Sequence, residues 1–174
     1  EEEKAIGATI SHLKRGLTIP HEIIVSDGRS SDRTVEIAKK LADKVVVFRG
    51  GREMRHTAGL GRNDGARVAS GEFLAFMDAD VVIPEPDAFF RRALAHFDDK
   101  NLVGVTGPQK ASPEVETWGD KLSFFIFNIG IQFQNNVLNK GEASGKFMLV
   151  RRSAFEKVNG FREDLVTRED GDFF

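Results

Sequence analysis

Short runs of apolar residues alternate along this chain with segments whose apolar residues recur every three or four positions. That rhythm predicts strands and helices in turn, as in βα units. Residues 1–16 are expected to form a helix with Glu1, Glu2 and Glu3 in its first turn, where the helix dipole favours negative charge. Glu22 to Ser26 (EIIVS) reads as a buried strand rich in β-branched residues. Ser31 or Asp32 should cap a helix running to about Ala42, and Lys44 to Phe48 (KVVVF) is the next strand. A Gly-rich loop from Gly50 leads to a helix at about 60–69, and Glu72 to Met77 (EFLAFM) is a third strand. Pro84 and Pro86 precede a helix over Asp87 to Phe97, and Leu102 to Thr106 is a fourth strand.

The rhythm loosens beyond residue 110. Trp118 to Leu138 fits a helix, yet Phe127, Ile129, Ile131 and Phe133 also alternate like a strand. Phe147 to Val150 reads as a strand, and Ser153 to Val158 as a short helix stopped at Gly160. The expected organisation is one domain with a soft boundary near residue 85: a regular α/β first half (about 1–84) and a less regular second half (about 85–174).

Composition narrows the function classes. In 174 residues, 25 basic and 27 acidic side chains leave a formal charge of −2, with no basic excess for gripping a nucleic-acid backbone. The absence of Cys excludes a disulfide scaffold, a thiol nucleophile and Cys-ligated metal within these residues. The most apolar stretch, Leu122 to Phe133, is broken by Ser123, Asn128, Gly130 and Gln132 and is far short of the roughly 20 residues of a spanning helix. Its first reading is core or lid packing; the second is an interfacial patch making a peripheral membrane contact.

Candidate chemistry gathers at strand ends, where open α/β sheets bind their ligands. Asp27 follows EIIVS and opens DGRSSD; Asp78-Ala79-Asp80 follows EFLAFM. Hard oxygen ligands of this kind suit Mg²⁺ or Mn²⁺ with positions left for phosphate oxygens. Taken singly, each cluster is equally well ordinary turn and cap chemistry. Arg62, in Gly61-Arg62-Asn63-x-Gly65 on the expected loop-to-helix transition, is placed to neutralise a phosphate or reach a base edge, or else to sit as a surface cation. Glu169 and Asp170, with Asp172, form a third acidic group. Gly59-x-Gly61-x-x-x-Gly65 imitates a dinucleotide fingerprint but lies some ten loop residues after KVVVF, where that fingerprint must follow its strand directly.

Taken together, EIIVSDGRSSDRT, GRNDGARVASGEFLAFMDAD, GKFMLVRRSAFEKVNGF and REDGDFF resemble, in order and over nearly the whole chain, the family 2 glycosyltransferases of GT-A fold. The resemblance implies a three-layer, Rossmann-like α/β fold with a mostly parallel central sheet. It also implies inverting transfer of a sugar from a nucleotide-diphosphate donor, a UDP-sugar by preference, to an acceptor hydroxyl, assisted by Mn²⁺ or Mg²⁺. In that light Asp27 matches the acid that binds the nucleobase, Arg62 a basic residue close to the nucleotide, and Asp78 the acid near the ribose. Asp80 matches the metal-holding acid, Asp170 the catalytic base, and Gly145 and Glu169 the donor-sugar and acceptor region. The acceptor is a sugar, a lipid-linked sugar or a protein, and the cytoplasm or the cytosolic face of a membrane is the compartment where nucleotide sugars are made. The family's opening strand and its later acceptor-side elements are expected to lie beyond both ends of this sequence, and Arg29 replaces the usual third residue of a DDGS loop. Two other readings stay open: FLAFMDADVV also resembles the nucleophile strand of haloacid-dehalogenase-type phosphatases, with Asp78 phosphorylated, and the domain is also readable as an inactive nucleotide-sugar-binding or partner-binding unit.

Overall fold

A computed structural model of the protein describes residues 1–50, 56–111, 117–136 and 145–165. In chain order the elements are α1 (Ile6–Gly16), β1 (Ile24–Asp27), α2 (Thr34–Leu41), β2 (Lys44–Val47), α3 (Ala58–Val68), β3 (Phe73–Met77), α4 (Pro86–Ala95), β4 (Gly104–Thr106), α5 (Trp118–Asn136), β5 (Phe147–Arg151) and α6 (Arg152–Lys157). A single 3-10 turn at His96–Asp98 ends α4.

The three opening glutamates do not sit in the first turn of α1, which begins at Ile6. Glu1 and Glu3 instead hold the loop that leads into α2, whose N-cap position is Arg33 rather than Ser31 or Asp32. Glu1 accepts hydrogen bonds from the Ser31 amide and hydroxyl and from the Asp32 amide, and Glu3 accepts from the Arg33 amide. Asp32 accepts from both the amide and the hydroxyl of Thr34, and these bonds hold its carboxyl down at about 2. Carboxylates still satisfy a helix N-terminus here, but that of α2, against which α1 packs.

The described strands form two sheets: a parallel pair, β1 with β2, and a three-stranded sheet in the order β3-β5-β4. Strand β5 runs antiparallel to both neighbours, with Ala75 opposite Leu149 and Val105 opposite the same residue. Because β3 and β4 both run against β5, they point the same way, and β5 is the reversed strand of this sheet. Helical crossovers deliver β2, β3 and β4, but β5 arrives after the long excursion through α5 and enters reversed between β3 and β4. The βα rhythm dictates direction only where such a crossover separates adjacent strands.

Helices cover both faces of the β3-β5-β4 sheet, because alternate residues of a strand face opposite ways. Leu74, Phe76, Met148 and Val150 pack with Ala66 of α3, Phe155 of α6 and Phe161. On the other face Phe147 and Leu149 pack with Leu13 of α1, Phe90 of α4, Phe97 and Ile83. Phe147 meets Phe89 edge-on at 4.9 Å. Each fully buried Phe contributes about 2–3 kcal/mol, so β5, buried from Phe147 to Val150, is the most strongly held strand.

Helix α5 settles the helix-or-strand ambiguity: Thr117 and Asp120 exchange hydrogen bonds as a capping box at its start. It is not packed as core. Leu122, Phe125, Ile126, Ile129 and Phe133 are all exposed, and Asn128 joins the helix to Gln109 by two reciprocal hydrogen bonds. Among the described residues no helix is long and apolar enough to cross a membrane.

Candidate nucleotide and metal site

Asp27 closes β1 and is buried. Its Oδ1 accepts from the amides of Arg29 and Ser30, each at 2.8 Å, and its Oδ2 from the Ser30 hydroxyl at 2.6 Å. The loop thus keeps its hydrogen bonds despite Arg29, which adopts a left-handed backbone with φ 74°. The Arg29 guanidinium donates to the carbonyls of Phe48 and Gly50 and lies over the Phe48 ring, tying this loop to the end of β2. Against the loop lies the His56 imidazole, wedged so tightly that a methyl on Gly28 would come within 2.6 Å of Nδ1 and one on Gly61 within 2.8 Å of Cε1. These two glycines are therefore needed for close packing.

Arg62 lies inside α3 rather than at a loop-to-helix junction. Thr57 caps that helix by accepting from the Leu60 amide, and donates its own hydroxyl proton to the Glu163 carbonyl. Gly59 lets the backbone of Arg162 approach, since a methyl there would meet its carbonyl oxygen at 2.8 Å. The glycines that imitate a dinucleotide fingerprint are thus contact surfaces of a helix. Within the R-N pair the two side chains part company. Asn63 is buried, donates to the Phe161 carbonyl and Glu163, and accepts from the Phe161 amide. Arg62 lies over the Phe161 ring, donates to the Gly145 carbonyl at 3.1 Å, and reaches to 3.9 Å from Asp78 Oδ1.

Asp78 and Asp80 follow β3 on a loop fixed from below by α1. The Thr9 hydroxyl donates to the Ala79 carbonyl at 2.7 Å, and His12 Nε2 lies 2.7 Å from the Ile83 carbonyl. The Asp78 amide donates to the Lys146 carbonyl, extending the β3–β5 ladder by one step. Both carboxylates face outward, with 40% and 57% of their side chains exposed, which leaves oxygens open to a ligand. They converge on one cation: Lys146 Nζ lies 2.9 Å from Asp78 Oδ2 and 3.4 Å from Asp80 Oδ1. The hydrogen bond to Asp78 raises the ammonium pKa, with further help from the charges of both carboxylates.

The structure thus assembles Arg62, Asp78, Asp80 and the Gly145 backbone, and places Asp27 in a neighbouring loop that meets α3 through His56. Glu169 and Asp170 lie outside the described residues. Lys146, Thr9 and His12 were not singled out by the sequence: one basic residue beside Gly145 carries no motif, and Thr9 and His12 look like ordinary helix residues. Among the described residues no three His, Asp or Glu side chains cluster as a complete metal cage. Two carboxylates gripping one cation are nevertheless the donor set through which Mg²⁺ or Mn²⁺ is shared with phosphate oxygens and water.

Comparison with known proteins accords with this geometry. The model of the family described as glycosyl transferase family 2 matches residues 1–158. The O-antigen chain rhamnosyltransferase WbaN of Salmonella anatum is 29% identical over 160 residues, which cover 87% of this chain and 49% of WbaN. The succinoglycan biosynthesis protein ExoA of Rhizobium meliloti (strain 1021) is 28% identical over 181 residues, covering 98% of this chain and 53% of ExoA. The chain spans about half the length of these curated relatives. Among solved structures, the mannosyltransferase PcManGT from Pyrobaculum calidifontis, in complex with GDP-Man and Mn²⁺, superposes with a TM-score of 0.71 at 19% identity over 99% of this chain and 48% of that one. S. aureus TarS 1–349 in complex with UDP gives 0.70 at 21% identity over 99% of this chain and 50% of that one. The fold is therefore the GT-A fold of nucleotide-sugar transferases.

Proposed function

The chain belongs to glycosyl transferase family 2, and from that premise we propose that it carries the donor-binding part of an inverting transferase. It moves a sugar from a nucleotide-diphosphate donor, a UDP-sugar by preference, onto an acceptor hydroxyl. The observation that carries this reading is the convergence of Arg62, Asp78, Asp80 and Lys146 at the carboxyl end of β3. The relatives named for O-antigen and succinoglycan make a polysaccharide or glycolipid the acceptor class to screen.

Each residue then has a task. Asp27, already rigid through its own loop, offers its remaining Oδ2 lone pair to a nucleobase N–H. Asp78 lies toward the ribose, and Asp80 holds the metal on the diphosphate. A Mn²⁺ or Mg²⁺ ion held there supplies Lewis-acid stabilisation of the departing diphosphate. Arg62, fixed by Gly145 and Phe161, faces the same developing charge without having to reorganise, and such preorganisation is commonly the largest catalytic contribution. Asp170 removes the proton of the acceptor hydroxyl as it attacks the far side of the sugar, a role worth about 10²–10⁴ in rate. By the family resemblance Gly145 and Glu169 are assigned to the donor-sugar and acceptor region.

Calorimetric titration of UDP with and without Mn²⁺, on the protein and on Asp80→Asn, tests the reading. Binding that Mn²⁺ strengthens, and that Asp80→Asn no longer responds to, is the expected result. If neither UDP nor GDP binds with or without Mn²⁺, the transferase reading is overturned.

A further inference from the structure

Lys146 stands on the same two carboxylate oxygens that a divalent cation would use. Its backbone is fixed opposite Asp78 by the β3–β5 ladder, but its side chain is 47% exposed, so the ammonium can swing on its four-carbon stem. Among the described residues two acids, Asp78 and Asp80, lie against two bases, Arg62 and Lys146, so these four charges balance. A divalent cation arriving alone must displace an ammonium and settle beside a guanidinium. A nucleoside diphosphate arriving alone finds both bases already turned toward carboxylates. Arriving together, the two ligands relieve each other: diphosphate oxygens take over Lys146, and Asp78 and Asp80 are released to the metal.

We propose that Lys146 is a diphosphate-binding residue which, in the empty site, holds the Asp78–Asp80 pair and so makes metal binding and nucleotide binding depend on each other. The proposal rests on the nucleotide-sugar reading and adds to it a residue and an order of events. The geometry supports coupling over simple charge balance, because one ammonium touches both carboxylates whereas, of these two, Arg62 approaches Asp78. By linkage, whatever the diphosphate adds to metal affinity the metal must add to diphosphate affinity.

Lys146→Met removes the charge and keeps the apolar stem, and its exposed position leaves the fold intact, which thermal melts check. Free Mn²⁺ counted by electron paramagnetic resonance, with no nucleotide present, should show Mn²⁺ binding Lys146→Met about tenfold tighter than the unsubstituted protein. UDP titrated in the presence of a chelator should bind the variant about tenfold weaker, the scale of one lost charge-assisted hydrogen bond. Lys146→Arg should restore UDP binding in chelator. If Lys146→Met leaves either quantity unchanged while the unsubstituted protein binds UDP in the presence of Mn²⁺, the inference is overturned and the transferase reading stands. If the unsubstituted protein binds no UDP or GDP under any condition, both fall.

Discussion

Two acidic strand ends in this protein are built in opposite ways. Asp27 is buried, and its hydrogen bonds go to residues two and three positions ahead of it. Asp78 and Asp80 are open to solvent and are organised by Lys146, 66 residues on from Asp80, and, for Asp78, by Arg62, whose guanidinium is held by the distant Gly145 carbonyl. The first end is a rigid turn that happens to present a carboxylate. The second is a charge cluster whose geometry exists only in the folded chain. On the proposed function, the first would therefore couple stability to ligand binding and the second would separate them.

Replacing each acid by Ala should expose that difference most sharply. Asp27→Ala strands two amides and a hydroxyl in a partly buried loop and should cost about 3 kcal/mol in urea unfolding. Asp80→Ala removes one exposed contact at 3.4 Å and should change stability by less than about 0.5 kcal/mol. Both substitutions should weaken UDP binding, but only Asp80→Ala should do so in a protein that melts normally. Equal destabilisation by the two would erase the distinction.

The adjacent residues Arg62 and Asn63 repeat the contrast within one helix. Asn63 bridges α3 to Phe161 and Glu163 by three hydrogen bonds, so Asn63→Ala should cost about 2 kcal/mol. Arg62→Ala should cost less than about 1 kcal/mol, chiefly the contact with Phe161, yet weaken UDP binding about tenfold or more. A variant series in which Asn63→Ala bound UDP poorly while melting normally would reverse the assignment of this pair.

The same division explains what could be read before folding. Local signals served well: EIIVS, KVVVF and EFLAFM became β1, β2 and β3 with shifts of a residue or two, and Asp87 and Pro86 opened α4 as expected. Asp27, Asp78 and Asp80 stand out because each lies in a short motif at a strand end, and Arg62 because it lies in a Gly-Arg-Asn-x-Gly segment, although that segment is inside a helix. Interactions distant in sequence were not visible. Nothing local in Glu1 or Glu3 says that they serve α2 and not α1, and nothing in FMLVR says that it runs against both its neighbours. Lys146 becomes notable only when the β3–β5 ladder sets it beside Asp78. The apolar stretch in α5 was read first as packing; its exposed Phe125, Ile126 and Phe133 show that composition does not report which surface covers a helix.

The smallest effect concerns the other end of the strand that carries Asp27. Glu22 precedes β1 and accepts from Lys44 at 2.7 Å and from the amide and hydroxyl of Ser70. The Lys44 hydrogen bond, then those of Ser70, hold its carboxyl down at about 2 against an ordinary 4.5. A carboxyl that is more acidic folded than unfolded stabilises the fold fully above its unfolded value, and that contribution fades as pH falls from about 4.5 toward 2. Solvent screening keeps it to about 1 kcal/mol or less. Glu22→Gln should therefore lower stability slightly at pH 7, and the gap from the unsubstituted protein should close on acidification, read from urea midpoints at pH 7, 5 and 3. At pH 7 Asp80→Asn should lower stability less than Glu22→Gln does, because among the described residues its carboxylate makes one exposed contact, with Lys146 at 3.4 Å. A gap for Asp80→Asn as large as that for Glu22→Gln would mean that the open strand end supports the fold after all, and the separation of binding from stability would fail at its weakest point.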